Sequence, residues 1–234
     1  MTVNMHAKSG AEGFDKGLRD HMNRTYSLIG YGLGVSAISA WLIGFTALRS
    51  LVISDEGGLT MLGSIGLWAP LLLLIGASFR FFGNSVSSLR ALYWAFVGLQ
   101  GIGLSLVAVT VEPSAIVQAL AITCATFASM SLYGYTTSRN LSGMGRFMLM
   151  GLIGIIIASI VNIFLGSGGL NFAISVIGVL VFSGLTAYDT QKLKNAYESG
   201  MQGDDLEKMR YWSALGLYLN ILNLFNFFLS LGRS

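Results

Sequence analysis

Residues 147–188 read FMLMGLIGIIIASIVNIFLGSGGLNFAISVIGVLVFSGLTAY, a run of 42 residues without Asp, Glu, Lys or Arg. About 20 mostly apolar residues are enough for one helix to cross a bilayer. The run is therefore long enough for two crossings, and Gly166-Ser167-Gly168-Gly169 provides a turn signal between them. Apolar residues such as Ile155–Ile157 do not alternate with polar ones, so the pattern predicts helices and not the strands of a membrane barrel.

Five more windows without charged residues flank this run, and each is long enough for one crossing. They are 25–48, 57–79, 91–111, 113–138 and 211–232. Because lipid offers no hydrogen-bond partner to an unpaired backbone, each window is expected to be helical. The sequence thus predicts an all-α polytopic membrane protein with seven transmembrane helices. An N-terminal arm, 1–25, is expected to precede a single transmembrane domain, 26–233.

Composition supports the same class and excludes others. Of 234 residues, 53% are hydrophobic and only 11% are charged, against about 25% charged in soluble domains. One cysteine, Cys124, permits no intrachain disulfide, and the two histidines, His6 and His21, both fall in the predicted arm. A buried histidine-based catalytic apparatus is therefore not expected, and no enzyme motif is found. We expect a protein that is not an enzyme and has no cofactor.

The basic residues predict the orientation in the membrane. Of the 14 Lys and Arg residues, 12 fall in the arm or in the second, fourth and sixth connections, and only Arg49 and Arg233 fall on the other side. The positive-inside rule then places the N-terminus in the cytoplasm and the C-terminus outside. The net charge of +3 is thus interpreted as a topology signal, and binding to nucleic acid is not expected.

Glycines recur on the predicted helix faces. Examples are Gly30-x-x-x-Gly34 in the first span and Gly98, Gly101 and Gly103 in the third. Small residues at such spacings let helix backbones approach closely. The pattern favours packing inside the bundle, with a dimer face as the alternative.

One acid and one arginine are candidates for a site at the cytoplasmic end. Asp189 ends the sixth span, and ionisable residues in membrane segments are costly and usually functional. The alternative is an interfacial residue that pairs with Lys192 or Arg210. Arg80 directly follows the second span and could reach towards Asp189 as a latch, or it could contact lipid headgroups.

The last span is unusually polar. Asn220, Asn223 and Asn226 recur at spacings that place them on one helical face, and that face should point into the bundle. Gln100 adds an amide from the third span. These residues are pore-lining candidates, although an asparagine stripe can also hold helices together. One acid with several amides suits oxygen coordination of a cation such as calcium, with Asp189 as the metal ligand.

Three stretches carry a resemblance to a known family, and the last span adds a fourth. The three are 131–142, beginning Ser-Leu-Tyr-Gly-Tyr; 151–164, from Gly-Leu-Ile-Gly to Val-Asn-Ile-Phe; and 184–192, which contains Tyr188-Asp189-Thr190-Gln191. The fourth is 214–225. Together they resemble the bacterial branch of the Bax inhibitor-1 family. The resemblance implies a seven-helix fold with the last helix near the centre and a calcium leak gated by pH.

The same resemblance implies a pH sensor made of two carboxylates and an arginine. Asp189 matches the first carboxylate and Arg80 matches the arginine. Asn220 stands where the second carboxylate is expected, and Gln100 stands where many members carry Glu. With an amide at Asn220, the repulsion between two carboxylates is absent, so we expect weaker calcium binding and a blunted pH response.

Two functions remain open at this point. The first is a pH-modulated calcium leak channel in a bacterial inner membrane, with the lipid bilayer and calcium as its partners. The alternative is a membrane interaction protein that restrains a partner such as a membrane protease, with the arm as a docking element. Transport by alternating access would favour internal repeats, and none is found.

Overall fold

The computed structural model describes residues 2–54, 58–80 and 85–233, without the side chains of residues 2–14, 71 and 74–80. All regular elements in this part of the chain are helices, and the β-structure seen there is one isolated bridge between Ile53 and Leu59. The helices are α1 Thr2–Phe45, α2 Arg49–Val52, α3 Met61–Arg80, α4 Val86–Thr110, α5 Pro113–Thr136, α6 Ser142–Leu165, α7 Gly168–Glu198 and α8 Gly203–Leu231.

Six of these helices are long and apolar enough to cross a membrane: α1 over Asp15–Phe45, and α4 to α8 over their full lengths. The prediction of an all-α membrane protein is confirmed. The second predicted window, 57–79, largely coincides with α3, whose 20 residues would span about 30 Å at 1.5 Å per residue. Because α3 is not among the six, the count of seven crossings stays a prediction.

The break inside the long apolar run lies at the glycine-rich turn. Helix α6 ends at Leu165, and Gly166 follows with φ of 59°, a left-handed conformation that favours glycine. The Ser167 side chain then caps α7 by accepting a hydrogen bond from the Leu170 N–H at 3.3 Å. This turn was predicted from the glycines, and the structure confirms it.

Helix α8 lies at the centre of the bundle. It packs against α1, α4, α5 and α7, whereas α6 packs mainly against α7 and leaves most of its surface exposed. Leu217, Tyr218 and Leu224 of α8 are fully buried. Since lipid is as apolar as these side chains, close van der Waals packing is what holds the helices together. The central position agrees with what the resemblance implies for the last helix.

The predicted arm is continuous with the first span. Helix α1 runs across residue 25 without a break, and Leu18, His21 and Met22 are buried. The His21 ring stacks on Tyr197 with centroids 5.5 Å apart, and neither of its ring nitrogens has a hydrogen-bond partner among the described residues. His21, which falls within the predicted arm, therefore packs against α7.

The glycines divide into packed and open positions. A Cβ at Gly101 would collide with Ser39 and the Ser36 carbonyl, so Gly101 allows α4 to approach α1 closely. Gly30 and Gly34 are exposed, and no described atom lies within 4 Å of where their Cβ atoms would stand. The interpretation of these two as internal packing residues is wrong, because no neighbouring helix packs against either glycine.

Gly134 of α5 is a site where a methyl group should be costly. A Cβ there would collide with the backbone carbonyl of Ala187 on α7, and backbone cannot yield as a flexible side chain can. We expect Gly134→Ala to lower the free energy of unfolding by about 1–3 kcal/mol, measured by SDS titration in detergent micelles. Gly154→Ala is the matched control, since no described atom lies within 4 Å of that Cβ position. Equal stability of the two variants would contradict the close contact.

Candidate functional site

The two leading site candidates of the sequence lie in direct contact. Asp189 is half-buried on α7 and Asn220 is buried on α8, and the Asn220 Nδ2 donates a hydrogen bond to the Asp189 Oδ2 at 2.8 Å. An amide N–H is a good donor to a carboxylate, and such charge-assisted bonds are strong. The acid is thus joined to the central helix by a neutral partner.

A cavity of about 370 Å³ opens beside the carboxylate. It lies between the end of α7 and the start of α8 and is lined by Asp189, Lys192, Met209, Trp212, Ser213 and Gly216. We call this end of the bundle the basic end; it holds the start of α1 and α8 and the ends of α5 and α7. The cavity gives the Asp189 carboxylate access from the basic end.

The ordinary ion pairs proposed as an alternative for Asp189 are not formed in the described residues. Arg210 pairs with Glu207 on its own helix. Lys192 lines the cavity with Asp189, but the ion pairs of the described chain do not include one between them. Among the described side chains, Asp189 is therefore hydrogen-bonded to Asn220, and no cation forms an ion pair with it.

The neighbours of Asp189 in the chain each contact a different part of the bundle. Tyr188 packs its ring where a Cβ at Gly145 of α6 would stand, and the Thr190 hydroxyl lies 3.1 Å from that of Ser131 on α5. The Tyr-Asp-Thr-Gln element thus joins α7 to three neighbouring helices, which positions the carboxylate.

Gln191 completes this element by holding the connection between α5 and α6. Its Oε1 accepts from the Leu141 N–H at 2.8 Å, and its Nε2 donates to the Arg139 carbonyl at 2.8 Å. Both Gln191 and Leu141 are buried. The side chain therefore satisfies two backbone groups that have little access to water.

Replacing Gln191 by Leu is expected to lower the free energy of unfolding by about 1–3 kcal/mol, because a buried N–H loses its acceptor. The measurement is SDS titration in detergent micelles. Gln202→Leu is the control, since Gln202 is exposed and its side chain makes no capping hydrogen bond. A Gln191→Leu variant as stable as the control would show that the two bonds do not hold the connection.

Two further predicted residues lie outside this contact. The structure describes Arg80 as the last residue of α3 but not its side chain, so the latch to Asp189 stays a prediction. Gln100 is half-buried on α4, and no hydrogen bond within the described residues joins it to the Asp189–Asn220 pair.

The three asparagines of α8 have three different surroundings. Asn220 bonds Asp189, whereas the Asn223 Nδ2 donates to the Leu219 carbonyl of its own helix at 2.8 Å. Asn226 is exposed and lines a separate pocket at the opposite end, together with Asn171, Ser230 and Arg233. Their role as one pore lining stays a prediction.

Sequence reasoning missed a second polar contact of the central helix. The Tyr218 hydroxyl lies 2.6 Å from the Ser36 Oγ, which also lies 2.6 Å from the Val97 carbonyl oxygen. Tyr218 and Ser36 are fully buried, so this contact joins α8 to α1 and α4. No spacing in the sequence distinguishes Ser36 from the many other serines in the spans.

The described residues contain no group of three or more His, Cys, Asp or Glu side chains placed to hold a metal ion. Calcium at Asp189 therefore stays a prediction. It rests on one carboxylate and a neighbouring amide.

Comparison with known proteins decides the family. The family model described as inhibitor of apoptosis-promoting Bax1 matches residues 18–233. The chain belongs to the Bax inhibitor-1 family. The match begins within α1 at Leu18, the first buried residue among the described side chains of that helix, and includes the Asp189–Asn220 contact.

Individual relatives cover nearly the whole chain. A protein of Caulobacter vibrioides is 41% identical over 222 residues, covering 92% of this chain and 89% of its own length. The inner membrane protein YbhL of Escherichia coli K12 is 37% identical and covers 89% of each chain. A membrane protein of Streptococcus pyogenes serotype M3 is 35% identical, covering 90% and 91%. This member of the Bax inhibitor-1 family is an integral membrane protein.

Proposed function

We propose that this protein is a passive calcium leak channel of Bax inhibitor-1 type. The observation that carries the proposal is the Asp189 carboxylate, bonded to Asn220 of the central helix and reached from the basic end by a cavity. An ionisable residue within a membrane span is energetically costly, and such residues usually belong to functional sites. Here its hydrogen-bond partner is neutral, so its charge is not cancelled by that partner.

The chemistry of the pair suits passage of a cation more than its retention. Calcium prefers carboxylate and amide oxygens, and tight sites supply six to eight of them. The Asp189 carboxylate provides only part of such a shell, since the amide beside it turns its N–H and not its oxygen to the acid. Conduction requires binding that is favourable enough for entry and weak enough for release, and a single acid meets that requirement.

The orientation follows from the basic residues. In the proposed topology seven helices cross the membrane, with α3 as the second crossing, and the basic end faces the cytoplasm. The cavity beside Asp189 then opens to the cytoplasm. The name of the Escherichia coli relative YbhL supports the bacterial inner membrane as the location.

Asn220 is expected to blunt the response to pH. Two carboxylates at hydrogen-bond distance would titrate as a coupled pair, whereas an asparagine does not titrate. The protein therefore retains one titrating group in the contact where the family pattern has two. We propose a leak whose pH response is weaker than that of the two-carboxylate pattern, because Asp189 alone titrates in the contact.

Calcium flux across a liposome membrane tests the proposal. Purified full-length protein is reconstituted with a calcium dye inside, and dye fluorescence is followed after calcium is added outside, at several pH values. The expected result is a faster rise than in protein-free liposomes, with a shallow pH profile. Equal rates with and without protein at every pH would overturn the leak and favour the alternative, a protein that restrains a membrane partner.

A further inference from the structure

A long cleft separates α1 from α5 on the surface of the bundle. It begins near the basic end as a hollow of about 550 Å³, lined chiefly by Arg19, Asn23, Tyr26, Ser131, Leu132 and Tyr135. Farther from that end it continues as a hollow of about 360 Å³, lined by residues that include Leu33, Ala37, Trp41, Leu120 and Cys124. Ile221, Leu222 and Phe225 of α8 also line this second hollow. Both volumes lie in the range of pockets that hold small ligands.

The two hollows lie along one side of α1. On α1 the lining positions 19, 23, 26, 33, 37 and 41 recur at helical spacing, which places them on one face. Gly30 lies on the same face between the hollows; it is exposed, and no described atom lies within 4 Å of where its Cβ would stand. The missing side chain therefore leaves the cleft open at its middle.

Polarity changes along the cleft. The hollow near the basic end presents a guanidinium and an amide, whereas its Tyr26 and Ser131 hydroxyls are hydrogen-bonded to each other between α1 and α5 at 2.5 Å. The farther hollow is lined almost entirely by apolar side chains, and the Thr123 hydroxyl within it is already bonded to the Ala119 carbonyl of its own helix at 2.7 Å. A ligand that fits this order has an anionic head and an apolar tail.

The dimensions match one membrane leaflet. Arg19 and Leu33 are 14 residues apart, which is about 21 Å along a helix. A bilayer is about 40–45 Å thick with its headgroup regions, so one leaflet with its headgroups accounts for about 20–22 Å. A chain that starts at the level of Arg19 would therefore pass Gly30 and end in the apolar hollow.

We propose that the α1–α5 cleft binds an anionic phospholipid from the leaflet at the basic end, with its phosphate at Arg19 and one acyl chain along the cleft. The chain reaches α8 at Ile221 and Leu222, directly after Asn220. The lipid thus touches α8, the helix whose Asn220 is hydrogen-bonded to Asp189. This proposal does not depend on calcium flux, and its test does not measure flux.

The tail site is tested by filling the cleft. Delipidated full-length protein in detergent is titrated with phosphatidylglycerol, and bound lipid is counted by native mass spectrometry. Gly30→Leu is expected to lower the affinity at least about fivefold, a loss of roughly 1 kcal/mol, because its side chain fills the middle of the cleft. Gly154→Leu is the control: it is exposed on α6 with no described atom within 4 Å of its Cβ position. Equal affinities of the two variants would overturn the proposal.

The head site is tested by the preference for phosphatidylglycerol over phosphatidylcholine. A basic side chain near a membrane surface contributes about 1 kcal/mol to the attraction of anionic lipid, so Arg19→Gln should reduce the preference about fivefold. Arg24→Gln removes the same charge from an exposed position that lines a different hollow and should leave the preference unchanged. Equal reductions would overturn the role of Arg19. If Gly30→Leu instead abolished a dimer and left lipid binding unchanged, the lipid proposal would be overturned and the cleft would be assigned to a second copy of this chain.

Discussion

Replacing Asp189 by Asn is expected to lower calcium flux in liposomes at least about tenfold. Two unit charges about 4 Å apart attract by roughly 4 kcal/mol at the effective dielectric of a protein surface, and calcium carries two charges. Loss of the carboxylate removes this attraction at the point where the cavity meets the central helix. A tenfold fall in flux corresponds to only about 1.4 kcal/mol, which is less than the attraction that is removed. Tenfold is therefore a lower bound on the expected fall in flux.

The substitution should preserve the fold, which makes the experiment interpretable. Asparagine has the shape of aspartate, and two amides can still form a hydrogen bond between α7 and α8. Asp204→Asn is the matched control, because Asp204 is exposed in the first turn of α8 and lines none of the cavities described above. If Asp189→Asn conducts as well as Asp204→Asn, the carboxylate does not serve the ion path.

Restoring a second acid by Asn220→Asp is expected to create a steep pH response. The two carboxyl groups would lie at the 2.8 Å spacing now occupied by the hydrogen bond. Like charges this close titrate as a coupled pair that shares a proton in acid and carries two negative charges in base. Calcium flux should therefore rise about tenfold from about pH 5 to pH 8 in the variant, and more steeply than in wild type, where Asp189 is the single titrating group of the contact.

The control for this variant introduces the same charge one turn along the helix. Asn223→Asp also adds an acid to α8, but Asn223 bonds the Leu219 carbonyl of its own helix and not Asp189. Its flux should remain as shallow in pH as that of wild type. A steep profile in both variants would show that any added acid on α8 produces the effect. A flat profile in Asn220→Asp would remove Asn220 as the cause of a blunted sensor.

Some of the site could be predicted because the resemblance named residues that happen to touch. Asp189 and Asn220 were identified from the Tyr-Asp-Thr-Gln element and from the last span, and the structure joins them. The sequence could not tell whether Asp189 pairs with Lys192, one helical turn away, or with Arg210, whose distance depends on how α7 and α8 pack. That Arg210 pairs with Glu207 instead depends on the side-chain conformations at the start of α8.

The glycines and His21 show where pattern reasoning fails in a membrane protein. In a soluble helix an apolar stripe marks the buried face, but in a membrane span every face is apolar and the stripe disappears. Gly30 and Gly34 therefore looked like packing residues although no neighbouring helix packs against either glycine. His21 looked like part of a polar arm although its ring is buried against Tyr197.

The amino-acid sequence by itself determined that this chain is helical, that it resides in a membrane and where the turn at Gly166 falls. These properties follow from local chemistry, because lipid forces each long apolar run to satisfy its own backbone. Only the tertiary structure decided which face of each helix meets another helix. It places α8 against α1, α4, α5 and α7, and it leaves a cleft between α1 and α5. The rotation of each helix about its own axis depends on how its side chains interdigitate with those of segments far apart in the chain. The apolar composition of a span does not predict that rotation.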